Sequence, residues 1–229
     1  MSKTYIALDI STAKIGVAIF KDFQCVQCKL IKFDPAETLE IKAMRFKEQI
    51  TSFLLDNCNG AIDAVAYEAP LMFIKGKSSA NVVTKLAAFN LMCRWIVWTL
   101  VGCPELIAVP VQTYKAYFNR TVFTAEELQD NTIKNLSESK LYNLAVAKRL
   151  FKQHVPHETV LAILEGKNRN GGAAQGVDDV ADAIVVGFYC ALHRGKPVEN
   201  DDAAGKQLKR SRTKGPRRPI RRTRRLANR

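Results

Sequence analysis

The sequence predicts an α/β domain built on a mixed five-stranded sheet with helices on both faces. Three observations support this class. Near the N-terminus, three short and mostly apolar runs are separated by brief polar turns, which predicts an antiparallel meander. Two later apolar runs each stop within two residues of a proline, as strands often do. Segments with helical spacing of apolar residues separate and follow these two runs, and such an alternation favours parallel strands.

The N-terminal half is predicted to hold four strands and two helices. In chain order these are strands at 5–10, 15–20 and 25–33, a helix at about 35–57, a strand at 64–68 and a helix at 78–101. In the first helix, Phe46, Ile50 and Leu54 fall close to one face, which predicts packing of that face against the sheet. The second helix is apolar on most sides and is expected to be buried.

The C-terminal half is predicted to add one strand and three helices. In chain order we expect a strand at 106–109, a short helix at about 111–118, an irregular segment at 119–137, a helix from Ser137 to about His154, a glycine-containing loop at 166–176 and a final helix at 178–193.

The net charge of +13 is unevenly distributed along the 229 residues. Residues 205–229 contain twelve of the 35 Lys and Arg residues and no Asp or Glu, whereas residues 1–204 carry 23 basic and 22 acidic residues. We therefore expect a folded domain at 1–198 and a disordered basic tail at 199–229. Such a tail suits binding to phosphates, with four arginines as candidate contacts: Arg217, Arg218, Arg221 and Arg222. A tail that serves only solubility or localisation is the alternative.

The cysteines and the N-terminus do not indicate a zinc protein or a secreted protein. Cys25 and Cys28 form a C-x-x-C within a predicted strand, and neither a second pair nor a nearby His completes a zinc site. No signal peptide is evident, and Asn90 and Arg94 interrupt the longest apolar run. The expected protein is soluble and intracellular, located in the cytoplasm or nucleoid or at a viral replication site, without membrane contact.

Four acidic residues stand where ionised carboxylates need a cation or a partner. Asp9 lies within one apolar strand and Glu68 closes another, while Asp179 and Asp182 share one face of the final helix. Gathered at one point, they would form an all-oxygen site for Mg²⁺ or Mn²⁺. Taken singly, each has a simpler interpretation, because Asp residues often form turns or cap helices. Asp178 is expected to be such a cap.

These motifs together resemble the RuvC family of Holliday-junction resolvases, which belongs to the RNase H-like superfamily. Tyr5-Ile-Ala-Leu-Asp9 followed by Gly16-Val-Ala-Ile is similar to the family's first strand pair. Ala64-Val-Ala-Tyr-Glu68 is similar to the strand that ends in its second carboxylate. Val177-Asp-Asp-Val-Ala-Asp-Ala183 is similar to its final helix, which carries D-x-x-D followed by Ala. The resemblance spans residues 4–193.

The resemblance implies a catalytic site and a substrate. Asp9, Glu68, Asp179 and Asp182 would hold two Mg²⁺ or Mn²⁺ ions that drive hydrolysis of a phosphodiester, leaving 5′-phosphate ends. The expected substrate is branched DNA such as a four-way junction, and a branch-migration motor as partner stays unknown.

The resemblance also implies DNA contacts and a homodimer. Lys115 and Lys140 match lysines of the family that contact DNA. The family's aromatic wedge falls on Leu71, and Phe73 is the nearby aromatic candidate. The helix at 78–101 is a candidate dimer surface, although its Phe89, Trp95, Ile96 and Trp98 could equally be core.

Other functions remain open on the sequence alone. The Asp9–Gly16 hairpin also resembles the phosphate-binding hairpin of sugar kinases and related ATPases, but no second such hairpin occurs. Another RNase H-like nuclease, acting on forks, flaps or RNA–DNA hybrids, would use the same acidic residues. A non-catalytic nucleic-acid-binding protein would depend on its basic tail. Assays of a four-way junction, a fork, a flap and an RNA–DNA hybrid side by side distinguish the nucleases from one another. Whether added Mg²⁺ converts a bound junction into nicked product distinguishes a nuclease from a binding protein.

Overall fold

A computed structural model describes residues 2–58, 61–69, 80–102, 105–119, 138–154, 156–167 and 174–193. All of these belong to one compact unit, Met1–Lys196. The predicted basic tail, nearly all of the irregular segment at 119–137 and much of the glycine-containing loop lie outside the described residues. The DNA contacts predicted for Leu71, Phe73 and the four tail arginines lie outside them as well.

The described strands form one mixed sheet of the predicted kind. They are β1 (Thr4–Ile10), β2 (Lys14–Lys21), β3 (Gln24–Lys32), β4 (Ala64–Glu68) and β5 (Leu106–Val109). Their order across the sheet is β3-β2-β1-β4-β5. Strand β2 runs antiparallel to both β1 and β3, whereas β4 runs parallel to both β1 and β5. The predicted meander with added parallel strands is therefore confirmed.

Six helices are described. They are α1 (Leu39–Asn57), α2 (Ala80–Val101), α3 (Val111–Asn119), α4 (Glu138–Gln153), α5 (Glu158–Leu164) and α6 (Val177–His193). Helix α1 begins later than predicted, because the Thr38 side chain accepts the backbone N–H of Ile41 and caps the helix there. Helix α5, capped by His157, was not predicted. Its seven residues are too few to give a clear periodic signal.

The two faces of the sheet carry side chains of different size. Because side chains alternate along a strand, each strand presents one set of residues to each face. Toward α1 and α2 the central strands present large residues, which are Ile6, Leu8, Val17, Ile19 and Val65. Toward α6 and α4 they present small ones, which are Ala7, Ala18, Ala64 and Ala66, with the larger Tyr5 and Phe20 at one end. The predicted helices on both faces are confirmed, and α6 lies on the small-residue face.

Helix α6 is the central helix of the domain. Fourteen of its seventeen residues are buried, so it is enclosed on nearly all sides, as expected for a helix that is apolar around its whole circumference. Gly187 lies where the helix passes the Phe20 ring, and a Cβ at this position would overlap Cε2 of that ring. The absence of a side chain at Gly187 therefore sets how closely α6 approaches β2.

The two cysteines of the C-x-x-C are buried structural residues. Cys25 and Cys28 lie on β3 as free thiols, and burial raises the pKa of both, that of Cys28 to about 12. Protonated thiols of this kind are poor metal ligands and poor nucleophiles. Separately, none of the helices within the described ranges is long and apolar enough to cross a membrane.

Gly187→Ala should destabilise the domain by about 1–3 kcal/mol, because the added methyl group forces the Phe20 ring out of its packed position. Urea unfolding followed by circular dichroism measures this loss. Phe20→Leu serves as the matched control. If the loss comes from this contact, the double variant loses less stability than the sum of the two single variants. Strict additivity would show that the loss has another cause.

Candidate active site

The parallel pairing of β1 and β4 brings two of the predicted acidic residues to the same edge of the sheet. Leu8 pairs with Tyr67, so Asp9 and Glu68 are the next residues on adjacent strands. Alternation along each strand turns both side chains toward α6, on the side of Ala7 and Ala66. The sequence predicted both positions.

A close contact between β2 and the first turn of α6 completes the site. Gly16 pairs with Asp9 across the β1–β2 ladder. A Cβ at Gly16 would overlap the carbonyl oxygen of Asp179 and lie 2.6 Å from its carbonyl carbon. The helix backbone can therefore rest directly on the strand only because residue 16 is glycine. This contact places the acidic first turns of α6 beside Asp9.

Burial and the negative charges of four other carboxylates act on Asp9 and contribute to its raised pKa. Burial is the largest cause that raises this pKa well above its usual range, followed by the negative charges of four further carboxylates, which in decreasing order belong to Asp182, Glu68, Asp179 and Asp178. Five carboxylates therefore share one electrostatic environment, which we call the acidic cluster. The structure thus brings together the four acidic residues that the sequence singled out.

Asp178 also belongs to this cluster, and its predicted role as a helix cap stays a prediction. Helix α6 begins at Val177, so Asp178 lies within the first turn and is buried. Its charge raises the pKa of both Asp9 and Asp182. Asp178 stands four residues before Asp182, so both can face the same site from one side of the helix.

Two neutral side chains hold the carboxylates in place, and sequence reasoning missed both. The Tyr114 hydroxyl donates to Oε2 of Glu68 at 2.9 Å, and the Asn143 amide donates to Oδ1 of Asp182. Both side chains are buried, on α3 and α4 respectively. Tyr114 directly precedes Lys115, a predicted DNA contact, but nothing in the sequence separately indicated a role for the tyrosine. Asn143 had no signal in the sequence.

Hydrogen bonds and burial act in opposite directions on two of these acids. Burial raises the pKa of Asp182 to about 7, against the lowering effect of the Asn143 hydrogen bond, and Glu68, Asp179 and Asp178 raise it further. Burial likewise raises the pKa of Glu68, whereas the Tyr114 hydroxyl and the Lys115 ammonium lower it. Lys115 therefore lies close enough to the cluster to affect its charge, at the position predicted for a DNA contact. Lys140 lies in the first turn of α4, and its side chain falls outside the description.

A second lysine contacts the cluster directly. The Lys14 ammonium forms an ion pair with Oδ2 of Asp179 and lies 3.6 Å from Oδ1 of Asp178. The sequence had assigned Lys14 only to a polar turn. A lysine at the start of a strand carries no local signal for this contact, which depends on where α6 packs.

The donor chemistry of the cluster suits a hard divalent cation. All five candidate ligands are carboxylates, the donors that Mg²⁺ and Mn²⁺ prefer. The Lys14 ammonium supplies a positive charge at Asp179, where a metal ion would otherwise do so. Across the described ranges, no three His, Cys, Asp or Glu side chains surround one point closely enough to hold a metal ion. The residues therefore have the donor atoms that a divalent ion prefers. For the ion to bind, carboxylate side chains would have to move closer together and the Lys14 ammonium would have to move away from Asp179.

The raised pKa of Asp182 gives a testable pH dependence. Its folded pKa of about 7 exceeds the ordinary 3.8, so without divalent ions the folded state binds the proton more tightly than the unfolded state. The contribution of Asp182 to stability should therefore be full below about pH 4 and fall as the pH rises toward 7. In EDTA, Asp182→Asn should gain about 3–4 kcal/mol over the unmodified protein between pH 4 and pH 7.5, by urea unfolding. A difference that does not vary with pH would contradict the assigned shift.

Comparison with known proteins gives a structural likeness without a sequence match. No protein-family model and no curated protein sequence matches the chain. T. thermophilus RuvC, in complex with a Holliday junction substrate, is similar with a TM-score of 0.51 and 14% identity over 84% of this chain and 94% of that chain. The yeast mitochondrial Holliday junction resolvase Ydc2 is similar with a TM-score of 0.52 and 11% identity over 89% of this chain and 83% of that chain.

These identities are low, so the likeness concerns the fold alone. The structural match covers most of both chains in each comparison. The chain therefore has an RNase H-like fold of the RuvC type.

Proposed function

We propose that this chain is a metal-dependent endonuclease that resolves branched DNA, such as a four-way junction, by hydrolysing phosphodiester bonds and leaving 5′-phosphate ends. The observation that carries the proposal is the acidic cluster, which lies where β1, β4 and the start of α6 meet. Five carboxylates held together at a cost in burial energy are typical of a site for cations. The RuvC-type fold adds support, because both neighbours compared above are named for Holliday junctions.

Four residues of the acidic cluster are the proposed metal ligands. Asp9, Glu68, Asp179 and Asp182 would hold two Mg²⁺ or Mn²⁺ ions. Such ions, when bound, activate water as a nucleophile and stabilise the charge on the leaving oxygen.

Two hydrogen bonds fix the orientation of two of these four carboxylates. The Tyr114 hydroxyl orients Glu68, and the Asn143 amide orients Asp182. Because both donors are buried, the oxygens they hold have little freedom to turn away.

Positive charges near the cluster would bind the phosphates of the substrate. The Lys115 ammonium lies close enough to lower the pKa of Glu68, so an incoming phosphate at the cluster would also meet this cation. Lys140 and the basic tail at 199–229, with Arg217, Arg218, Arg221 and Arg222, would add contacts that are independent of base sequence. Leu71 or Phe73 would insert at the crossover of the junction.

Helix α2 presents an apolar stripe that suits a second copy of this chain. Ala88, Leu91, Trp95 and Trp98 follow one another at intervals of three and four residues, the spacing of a helix–helix seam. The last three are large yet exposed, by 58%, 61% and 37%. Two such stripes can pack against each other around a two-fold axis, which would give a dimer with two active sites for two strands of a junction.

The predicted core and surface of α2 are divided between its sides. Phe89 is buried against the sheet and Ile96 is partly buried beside it, as the alternative interpretation expected. Trp95 and Trp98 are on the exposed stripe, where their ring centroids lie 5.4 Å apart at an interplanar angle of 34°. The proposed dimer surface is therefore limited to the stripe.

Asp9→Asn should reduce junction cleavage by about 100-fold or more, because it removes a carboxylate from the centre of the cluster. Binding to the junction should persist, since Asp9 lies among the proposed metal ligands and carries no positive charge. The measurement is cleavage of a labelled synthetic four-way junction in Mg²⁺, with a fork, a flap and an RNA–DNA hybrid assayed beside it.

Asp56→Asn provides the matched control for that experiment, because Asp56 is an exposed carboxylate on α1. It should cleave as the unmodified protein does. Preferred cleavage of the fork, flap or hybrid would replace the junction as substrate. Binding of the junction without Mg²⁺-dependent cleavage of any substrate would mean that the chain binds nucleic acid without cutting it.

Trp95→Glu should convert a dimer into a monomer, because it places a charge in the middle of the apolar stripe. Sedimentation should show a species of twice the 25.6 kDa chain mass before the change and of one chain mass after it. Met44→Glu is the control, since Met44 is a similarly exposed apolar residue on α1. A monomer without any substitution, or a dimer that survives Trp95→Glu, would rule out this surface.

A further inference from the structure

We propose that Lys14 is an internal counter-cation, which occupies the α6 carboxylates in the metal-free protein and which a divalent ion must displace. The proposal rests on the metal site assigned above and names a residue that controls how that site is filled. Lys14 would act by holding Asp178 and Asp179 in position, so it is a positioning residue.

The turn before β2 is built to fix the backbone of Lys14. The Ser11 hydroxyl donates to the Lys14 carbonyl at 2.8 Å and accepts the Lys14 N–H at 3.2 Å. The Ser11 N–H donates to the same carbonyl at 3.1 Å. From α1, the buried Lys42 ammonium donates to the Thr12 carbonyl at 3.0 Å. A backbone held at this many points starts the Lys14 side chain from a defined place.

The ammonium of Lys14 lies at the boundary between the acidic cluster and solvent. It contacts Asp179 and lies 3.6 Å from Asp178, and both of these residues are buried. The Lys14 side chain itself keeps 23% of its surface exposed. Buried carboxylates without a cation are costly, so the ammonium stabilises the cluster. Its partial exposure leaves the flexible stem a route to swing into solvent.

A divalent ion and this ammonium compete for the same oxygens. An ion held by Asp179 would place two positive charges within a few ångströms of the Lys14 nitrogen, so one of the two must leave. Lys14 would thus favour the metal-free cluster and weaken its affinity for metal. An ordinary ion pair that only supports the fold would leave metal affinity unchanged, and this difference makes the two roles separable.

Lys14→Met should bind Mn²⁺ about fivefold more tightly than the unmodified protein, because the ion no longer has to break the Lys14–Asp179 ion pair; fivefold is the factor for two unit charges about 4 Å apart in water. Without metal, its melting temperature should fall, because the cluster loses its cation, and saturating Mn²⁺ should restore more of it than in the unmodified protein. Free Mn²⁺ is measured by electron paramagnetic resonance, and unfolding by circular dichroism.

Two variants serve as controls. Lys14→Arg keeps the charge and should bind Mn²⁺ with unchanged affinity. Lys21→Met removes one charge from the exposed far end of the same strand and should also leave the affinity unchanged. Tighter binding by Lys21→Met would assign the effect to net charge and overturn the proposal.

A second measurement uses the unmodified chain, so it holds even if Lys14→Met does not fold. Acetylation of lysines by an amine-reactive ester is followed by mass spectrometry, with and without Mn²⁺. Displacement predicts that Mn²⁺ increases the reactivity of Lys14 several-fold and leaves that of Lys21 unchanged. Unchanged or reduced reactivity of Lys14 would overturn the proposal.

The results also separate this inference from the proposed metal site. If the unmodified protein binds Mn²⁺ and Lys14→Met binds it equally or more weakly, the proposed counter-cation role of Lys14 is wrong, whereas the metal site is supported. If only Lys14→Met binds Mn²⁺, the competition is supported in its strongest form. If neither binds Mn²⁺, both the metal site and the role of Lys14 fail.

Discussion

The contact between Gly16 and the backbone of Asp179 is the constraint on which the candidate site depends. Strand β2 and helix α6 can approach this closely only because no Cβ stands between them. The alanines on the same face of β1, β2 and β4 extend the close approach along the helix, and Gly187 continues it beside Phe20. As a result, the first turns of α6 lie over the ends of β1 and β4, and acids from three distant segments share one environment.

Gathering five carboxylates in a partly buried place opposes folding, and the surrounding residues offset that cost. Tyr114 and Asn143 supply hydrogen bonds, while Lys14 and Lys115 supply positive charge. Two positive charges stand beside five carboxylates, and burial, followed by the charges of Glu68, Asp179 and Asp178, still raises the pKa of Asp182 to about 7. The remaining negative charge is the physical reason why the cluster suits divalent cations.

The two faces of the sheet divide the structural tasks. Large aliphatic residues on one face build a thick core with α1 and α2, and that core leaves the outer side of α2 free to expose Leu91, Trp95 and Trp98. Small residues on the other face build a thin layer that positions α6. The exposed stripe of α2 thus lies on one side of the sheet, and the acidic cluster lies on the other.

Local chain geometry accounts for those features of the fold and the site that could be predicted from the residues alone. Alternating and helical patterns gave the sheet, its flanking helices and the placement of Asp9 and Glu68 at neighbouring strand ends, and the three-residue spacing put Asp179 and Asp182 on one helix face. Other features depend on tertiary packing. Asp178 joins the acidic cluster, and Lys14 pairs with Asp179. Tyr114 and Asn143 donate hydrogen bonds to Glu68 and Asp182, and Trp95 is exposed. These contacts join segments far apart in the chain, and their geometry depends on how closely two backbones pack, which no local pattern encodes.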